Sequence, residues 1–321
     1  MLSERAIKLR KRYKKLSFSI KFLAYDSDYP SKTKTWLGRK NYDLITSLQP
    51  KAKGAKKEVI NLDNSITWKV TTPNSDPNKV ILYFHGGAYI VGSPKGYYPL
   101  ASRIAESTGA TVYVPTYRLA PEHYFPAQLE DGVKIYNALI HQEGYRPDQI
   151  VIGGDSAGGN LTLVTILKLK ELGEQLPAAI FCISPWADPL ATGDTYNDEM
   201  ADKDVFMGPV MKKNWHVYKH DGFAGYYVKK DDLDPMNPYI APIRGDYSGC
   251  PPVMIQVGSH ECLLSDSISL KEAYEKSGSE VEYIEWEGMW HVFHIEAKLQ
   301  ETIDSLEIFS EFINKHLKSK V

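Results

Sequence analysis

Ser156 stands in a setting that favours a role as a nucleophile. Residues 154–158 read Gly-Asp-Ser-Ala-Gly, after the apolar run Ile150–Ile152 and before a helix-like stretch, Leu161–Leu172. A strand, a tight turn and a helix in this order form a nucleophile elbow, which pushes the serine hydroxyl out of the turn. Small neighbours leave room for the bend, and the helix start favours a negative charge nearby. An ordinary strand-to-helix turn is the weaker alternative.

A nucleophilic serine needs a general base, and nine histidines supply candidates. In hydrolases with this elbow, the base follows the last strand of the sheet. His291 lies five residues after the strand predicted at Val281–Trp286, and Gly288 permits a turn between them. His294 is a rival at the predicted start of the final helix, and His260 is a rival that follows the preceding strand. We expect the base to be His291.

The base in turn needs a carboxylate that orients its ring and stabilises the imidazolium form. This acid should follow the strand predicted at Val253–Val257, and two candidates lie there. Glu261 is close to the strand end. Asp266 is five residues further on, where it fits the first turn of a helix, a common structural role for Asp. We favour Glu261 and keep Asp266 as the alternative.

A second glycine-rich turn follows the buried strand predicted at Val80–Phe84. Glycines let backbone N–H groups point at a developing oxyanion without crowding by side chains. His85 is expected to brace this turn by hydrogen bonding rather than to act as a base. Four residues are predicted to form the oxyanion hole: Gly86, Gly87, Ala88 and Ala157.

Apolar runs that alternate with helical patterns must position these residues. Such alternation predicts an α/β fold with a mostly parallel, doubly wound sheet. The predicted strands are Ile66–Thr71, Val80–Phe84, Ala110–Val114, Gln149–Ile152, Ala179–Ile183, Val253–Val257 and Val281–Trp286. The predicted helices are Tyr97–Thr108, Pro126–His141, Leu161–Leu172, Ser265–Ser277 and Ala297–His316. The stretch from about 189 to 238 breaks this rhythm and is interpreted as a helical insertion.

Composition narrows the class of protein. With 321 residues, 43% apolar and 24% charged, the chain suits a soluble globular protein with a large core. A net charge of −2 gives no overall attraction to nucleic acid or to an anionic membrane. Three cysteines without a Cys-x-x-Cys pair make a disulfide framework and a cysteine zinc site poor interpretations. No metal site is expected from the sequence.

The N-terminus is basic and carries apolar residues spaced three and four apart from Leu2 to Leu23. This spacing predicts an amphipathic helix. A helix packed on its own domain is favoured over a membrane-surface helix or a nucleic-acid-binding arm, because the apolar stripe includes Ala6 and Tyr13 and as a whole lacks the bulk of a membrane binder. Lysines interrupt the apolar stretch, so a signal peptide is not expected, and the predicted location is cytoplasmic. No run reaches the length of a membrane span.

Together these motifs resemble the hormone-sensitive-lipase-like carboxylesterases of the α/β-hydrolase superfamily. The likeness runs from about residue 79 to the C-terminus. The segments that carry it are His85–Ala88, Tyr117–His123, Phe125–Ala127, Gly154–Asn160, Ser184–Trp186, Pro251–Pro252 and Gly288–Phe293. The resemblance implies an α/β-hydrolase fold, a helical cap and hydrolysis of short-acyl carboxylic esters through an acyl-enzyme intermediate, without a cofactor or metal. It also implies a possible homodimer.

Two positions depart from the family pattern. The third glycine after the histidine is Ala88 here, which narrows the adjacent pocket but still offers an N–H. Many members have Asp where this chain has Glu261, while others use Glu. The resemblance also divides the chain: residues 1–60 form an N-terminal cap helix and linker, and residues 61–321 form the catalytic domain with the cap insertion at about 189–238.

The N-terminal helix and the insertion are expected to cover the cleft. The residues predicted to line a substrate pocket are Tyr13, Tyr89, Asp155, Phe206, Met207, Met211 and Trp215. The alternative is that the cap residues among them form the core of the cap. An aromatic lining would favour short acyl chains.

Two other functions stay open for a chain with these motifs. An amidase, formamidase or peptidase-like hydrolase would keep the same three residues and change the bond. A non-catalytic small-molecule receptor would keep the fold and lose the catalytic histidine, which is present here as His291.

Overall fold

Eight strands form one sheet in the computed structural model, which describes residues 2–23, 32–213 and 224–317. Its strands are β1 (Lys56–Leu62), β2 (Ser65–Thr71), β3 (Asp76–Phe84), β4 (Ala110–Pro115), β5 (Ile150–Asp155), β6 (Ala179–Ile183), β7 (Val253–Gly258) and β8 (Val281–Trp286). The order across the sheet is β1-β2-β4-β3-β5-β6-β7-β8. The pairs β1–β2 and β2–β4 are antiparallel, and the remaining pairs are parallel. The predicted mostly parallel, doubly wound sheet is therefore confirmed.

Helices cover both faces of this sheet. The helices described are α1 (Glu4–Leu23), α2 (Lys32–Ser47), α3 (Pro94–Thr108), α4 (Ala127–His141), α5 (Ala157–Glu171), α6 (Asp198–Lys203), α7 (Gly208–Lys213), α8 (Leu264–Lys276) and α9 (Gln300–His316). Among them, none combines the length and the apolar character needed to cross a membrane.

The central strands are buried on both sides. Along β3, Val80, Leu82 and Phe84 join a core cluster that includes residues of α4 and α5. The intervening Ile81 and Tyr83 join a second cluster with α3 and α9. Because successive side chains of a strand point to opposite faces, a strand covered on both faces has a continuously apolar sequence. That is why β3, β5 and β7 could be located from the sequence.

The first strand was not predicted. The segment Lys56–Leu62 has a mostly exposed side-chain pattern and three charged residues, so it lacks the apolar signal of a buried strand. It pairs with β2 across a two-residue turn in which Asp63 and Asn64 have φ angles of 45° and 68°. Positive φ at both turn residues is typical of a type I′ hairpin, and an Asp-Asn pair is a sequence signal for it.

The N-terminal helix α1 packs on its own protein, as the favoured interpretation of its apolar stripe predicts. Ala6 is fully buried in a small core with Trp290 and Phe293, and Tyr13 packs at its margin. From the insertion, Val205 belongs to the same core. The helix therefore contacts both the segment around His291 and the segment between α6 and α7.

Candidate active site

Ser156 occupies a sharp bend between β5 and α5. Its backbone has φ 52° and ψ −118°, a conformation that few residues other than glycine adopt. Side chains larger than glycine would not fit at positions 154 and 158. A Cβ at Gly154 would collide with the backbone of Gly158, and a Cβ at Gly158 would collide with the carbonyl group of Phe84. The glycines of the motif thus serve the close packing of the bend, which holds Ser156 half-buried at the carboxyl edge of the sheet.

His291 and Glu261 form a buried pair at the same edge. His291 Nδ1 lies 2.8 Å from Glu261 Oε2, and the two residues are 3% and 0% exposed. They follow β8 and β7, the two strands beyond β6 on this side of the sheet. With Nδ1–H donating to the carboxylate, the neutral imidazole keeps Nε2 as a proton acceptor. This is the tautomer that a general base requires.

The environment of His291 favours its protonated form. Burial by itself would lower the pKa of the imidazole. The hydrogen bond and the charge of Glu261 outweigh that effect, with help from the charges of Asp204 and Asp155, so the pKa of His291 is raised above its ordinary value. Asp155, the residue before Ser156, is thus among the charges that act on this imidazole.

The rival acid, Asp266, has other partners. Its Oδ2 accepts the N–H of Asp188 over 2.8 Å and the hydroxyl of Tyr196 over 3.1 Å. Burial, and next the charge of Asp188, raise the pKa of Asp266 well above its ordinary value. The structure brings Glu261, and not Asp266, into contact with His291.

The rival histidines also have structural partners. His294 Nε2 lies 3.4 Å from Gln256 Oε1, and burial lowers the pKa of His294 to about 3. His260 Nδ1 lies 2.6 Å from the guanidinium of Arg10, and burial followed by that positive charge lowers its pKa. Neither ring contacts Glu261 through a hydrogen bond within the described part of the chain.

Ser184 was missed by the sequence analysis as a site residue. It follows β6, and its Oγ donates to Glu261 Oε1 over 2.9 Å and accepts the N–H of Val292 over 3.2 Å. Gly258 N–H also donates to Glu261 Oε1. Ser184 therefore ties the carboxylate to the segment that carries His291. The sequence signal that could have identified Ser184 as a site residue was its position at the end of a parallel strand.

The oxyanion prediction needs one correction. The N–H of Gly86 donates to Asp155 Oδ1 over 3.0 Å, so it is not directed at a substrate. In contrast, the N–H groups of Gly87, Ala88 and Ala157 have no acceptor within the residues described. Gly87 has a φ of 115° and Ala88 a φ of 54°, which turn this loop sharply after β3. Three unpaired donors thus stand near the start of α5.

His85 lies under the loop. Its Nδ1 is 2.8 Å from the carbonyl oxygen of Gly86, and its ring stacks on Tyr117 at 4.4 Å between centroids. Tyr117 in turn donates its hydroxyl to the His85 carbonyl over 2.6 Å. Burial lowers the pKa of His85 to about 4, which keeps the ring neutral. These contacts hold the glycine-rich loop in place, which is the role expected for His85.

Three residues predicted for the pocket belong instead to the fold. Asp155 is 1% exposed and accepts the hydroxyls of Tyr83 and Tyr97, each over 2.8 Å. Tyr89 is 1% exposed and donates to Asn160 over 2.7 Å. Met211 is 1% exposed within the main core cluster, as the cap-core alternative predicts. The prediction that these three residues line a substrate pocket is therefore wrong, because protein already encloses their side chains.

The other predicted pocket residues lie near His291 or outside the described residues. Phe206 stacks on the imidazole of His291, with centroids 6.4 Å apart and planes at 26°. Tyr13 meets Phe206 edge-on at 6.4 Å and donates its hydroxyl to Glu296. Met207 is half-buried beside the core. Trp215 lies outside the described residues.

One cluster in residues 2–23, 32–213 and 224–317 has the geometry to bind a metal ion. It consists of Glu280, Glu282 and His316, at the opposite end of β8 from His291. Lys315 Nζ lies 2.7 Å and 2.9 Å from the two carboxylates and neutralises part of their charge. This cluster lies apart from Ser156 and has no place in its chemistry.

Comparison with known proteins agrees with this geometry. Residues 81–295 match a family model described as the alpha/beta hydrolase fold. An esterase from the bacterial hormone-sensitive lipase family has a solved structure that superposes with a TM-score of 0.83 at 31% identity, covering 99% of this chain and 100% of that one. The chain belongs to the hormone-sensitive-lipase-like carboxylesterases. It is therefore a carboxylic ester hydrolase by family.

Curated sequences of this family are also similar along most of the chain. An acetyl-hydrolase of Streptomyces hygroscopicus is 37% identical over 222 residues, which cover 69% of this chain and 70% of that protein. An esterase of Acinetobacter venetianus is 32% identical over 235 residues, covering 73% of this chain and 74% of that protein. A hormone-sensitive lipase from a metagenome library superposes with a TM-score of 0.85 at 31% identity, covering 99% of this chain and 100% of that one.

Proposed function

We propose that this carboxylesterase cleaves short-acyl esters with Ser156 as nucleophile, His291 as general base and Glu261 as the acid that orients the base. The observation that carries this proposal is the buried 2.8 Å contact between His291 and Glu261. It leaves the imidazole Nε2 as the atom available to accept a proton from a serine at the neighbouring strand end.

In the acylation step, Ser156 Oγ attacks the ester carbonyl carbon while His291 Nε2 takes the hydroxyl proton. The negative charge of Glu261 stabilises the imidazolium that forms. The carbonyl oxygen becomes an oxyanion, which the N–H groups of Gly87, Ala88 and Ala157 can stabilise together with the positive end of α5. Because these donors belong to the backbone, they need no rearrangement during the reaction.

In the second half of the reaction, His291 returns the proton to the departing alcohol. A water molecule then takes the place of the alcohol, and His291 removes its proton as the water attacks the acyl carbon. His291 delivers that proton to Ser156 Oγ as the bond to the acyl group breaks, which frees the carboxylic acid. The raised pKa of His291 suits both directions of transfer, since the ring must bind a proton firmly enough to deliver it. Turnover should therefore decline at low pH, where the imidazole is already protonated.

Short acyl chains fit the surroundings best. Phe206 lies against the His291 ring, and Tyr13 packs on Phe206 from the N-terminal helix. Bulky rings this close to the imidazole limit the room for a long chain. The similarity to a protein named an acetyl-hydrolase supports the same preference.

A chain-length series tests this function. p-Nitrophenyl esters from acetate to laurate should be hydrolysed best at the short end, and Ser156→Ala should lower kcat by about 10³-fold or more. Ser267→Ala is the matched control, because Ser267 is a buried serine of α8 whose Oγ donates only to the Leu263 carbonyl, over 3.4 Å. It should keep wild-type turnover. A maximum at laurate would reject the short-acyl preference, and near-wild-type turnover by Ser156→Ala would reject the mechanism.

The bond that is cleaved needs its own comparison. Motifs of this kind do not separate esterases from amidases, so a matched ester and amide of one acyl group should be assayed together. We expect the ester to be cleaved and the amide to be cleaved far more slowly. Preferential cleavage of the amide would assign the enzyme to the amidase alternative.

A further inference from the structure

Asp204, in the loop between α6 and α7, joins the cap to the acid loop. It is 1% exposed, and its Oδ2 accepts the N–H of Cys262 over 3.2 Å. Cys262 directly follows Glu261. A single buried carboxylate of the cap is therefore bonded to the residue next to the acid that holds His291.

The other oxygen of this carboxylate shapes the cap itself. Asp204 Oδ1 accepts the N–H groups of Phe206 and Met207 over 3.0 Å and 2.9 Å. Such bonds from an Asp side chain to the backbone two and three residues later fix a turn. The turn presents the ring of Phe206 to the imidazole of His291, 6.4 Å away between centroids.

The charge of Asp204 also acts on His291. Three carboxylates raise the pKa of this imidazole: Glu261, which bonds to it, then Asp204 and Asp155. Burial raises the pKa of Asp204 to about 6, and the charge of Glu261 adds to this, whereas the charge of His291 lowers it. Asp204 is thus ionised above about pH 6.

Two further groups complete the electrostatic surroundings of this pair. Arg10 of α1 faces Asp204, and burial, opposed by the charge of Asp204, lowers the pKa of Arg10. Burial, and then the positive charges of Arg103 and His291, lower the pKa of His294 to about 3, so its ring is neutral above that pH. Arg10 hydrogen-bonds to His260 and to the carbonyl oxygens of Gly288 and Lys203, and within the described residues it forms no direct ion pair with Asp204.

We propose that Asp204 is a positioning residue of the esterase, which seats the cap on the acid loop and favours the imidazolium that forms during acylation. This inference rests on the proposed function. It assigns to the cap a part in catalysis as well as in substrate enclosure. When the loop between α6 and α7 is bound to the acid loop, Asp204 provides a second carboxylate near His291. Because Phe206 belongs to the same loop, movement of the loop away from the acid loop would remove both Asp204 and the ring of Phe206 from His291.

The pH dependence of kcat/KM tests this role. Asp204→Asn and Asp204→Ser both remove the charge, and the serine hydroxyl can still accept the N–H bonds of the turn. Each variant should lower kcat by about tenfold with a smaller change in KM. The acid limb of the profile should move to lower pH, because a neutral neighbour no longer favours protonated His291.

Asp266→Asn is the matched control. Asp266 is equally buried and lies near Cys262, but it bonds to Asp188 and Tyr196 and is not among the carboxylates that raise the pKa of His291. Its loss should leave the acid limb in place. A limb that stays at the wild-type pH in both Asp204 variants would overturn the inference, even if their kcat falls, because a merely structural role would lower kcat without moving the limb.

The same assay separates the two proposals. Loss of hydrolysis in Ser156→Ala together with an unmoved limb in the Asp204 variants would remove this inference and leave the proposed function in place. Hydrolysis retained by Ser156→Ala would remove the proposed function, and the role of Asp204 with it.

Discussion

The N–H of Gly86 donates to the carboxylate of Asp155 over 3.0 Å, and this bond links the two loops of the active site. Asp155 is the residue before Ser156, and Gly86 is the residue before the first unpaired N–H of the glycine-rich loop. The same carboxylate accepts hydroxyls from Tyr83 and Tyr97. One buried side chain thus connects the segment of Ser156 to the loop whose amides are proposed to form the oxyanion hole.

Replacing Asp155 should affect both stability and turnover. Asp155→Ala removes the acceptor of the Tyr83 hydroxyl and of the Gly86 N–H, and it leaves the Tyr97 hydroxyl with Tyr42 as its partner. We therefore expect the free energy of unfolding to fall by about 3 kcal/mol. Because the glycine-rich loop loses its anchor, kcat should fall as well. Urea denaturation and ester hydrolysis measure the two effects.

Tyr97→Phe is the control for that experiment, since it removes one of the three donors and leaves the Gly86 bond. It should cost about 1 kcal/mol and spare most of kcat. Equal losses in Asp155→Ala and Tyr97→Phe would contradict the linking role of the carboxylate.

Glu261→Gln distinguishes the two candidate acids. The amide keeps the shape of the side chain but loses the charge, so kcat should drop by roughly 10²–10⁴-fold, as expected when the acid of such a triad is neutralised. The acid limb of the pH profile should also move to lower pH, because the charge of Glu261 raises the pKa of His291. In the same assay, Asp266→Asn should keep the wild-type kcat. The reverse pattern would make Asp266 the acid.

Ser184→Ala should weaken the hold on Glu261. The change removes a hydroxyl that donates to Oε1 and accepts the Val292 N–H, so a buried N–H is left unpaired. We expect a loss of about 1–3 kcal/mol in unfolding free energy and a lower kcat. Circular dichroism melting and steady-state kinetics on the short-acyl esters measure these losses. Retained kcat in a folded Ser184→Ala protein would show that Glu261 needs no such support.

The buried carboxylate of Asp204 should make stability depend on pH. Its pKa of about 6 in the folded state lies above the ordinary 3.8, so its contribution is fully present below about pH 4 and is lost as the pH rises through about 6. The loss amounts to up to about 3 kcal/mol. Asp204→Asn lacks this titration. We expect its unfolding free energy to gain on that of the wild type between pH 4 and pH 7, and parallel curves would contradict the raised pKa.

The sequence located most of the sheet because burial on both faces leaves a continuous apolar run. Strand β6 is buried along its whole length and was predicted with its observed bounds, Ala179–Ile183. Strand β8 was also predicted with its observed bounds, Val281–Trp286, although it is only partly buried and carries two glutamates. Strand β1 was missed because it is an exposed edge strand, held by the hairpin at Asp63 and Asn64 rather than by an apolar face. Exposure, and not chain position, decided which strands carried a signal.

Site residues could be predicted from the sequence where the backbone conformation requires particular residue types. The bend at Ser156 requires glycine at positions 154 and 158, so its motif can be recognised in the sequence. Contacts between distant segments leave no such trace. The bond from Gly86 to Asp155, the bridge from Ser184 to Glu261 and the turn at Asp204 each join residues more than 55 positions apart or depend on the fold of the cap. Pairings of this kind had to come from the structure.

The most direct measurement of the central claim is covalent labelling of the protein by a fluorophosphonate, read out by intact mass and peptide mapping. A serine reacts rapidly with this reagent only when a neighbouring base activates it. We expect one adduct, on Ser156, that is absent in Ser156→Ala and forms far more slowly in His291→Asn. Unlabelled wild-type protein, or labelling at the same rate in His291→Asn, would contradict the claim that His291 activates Ser156.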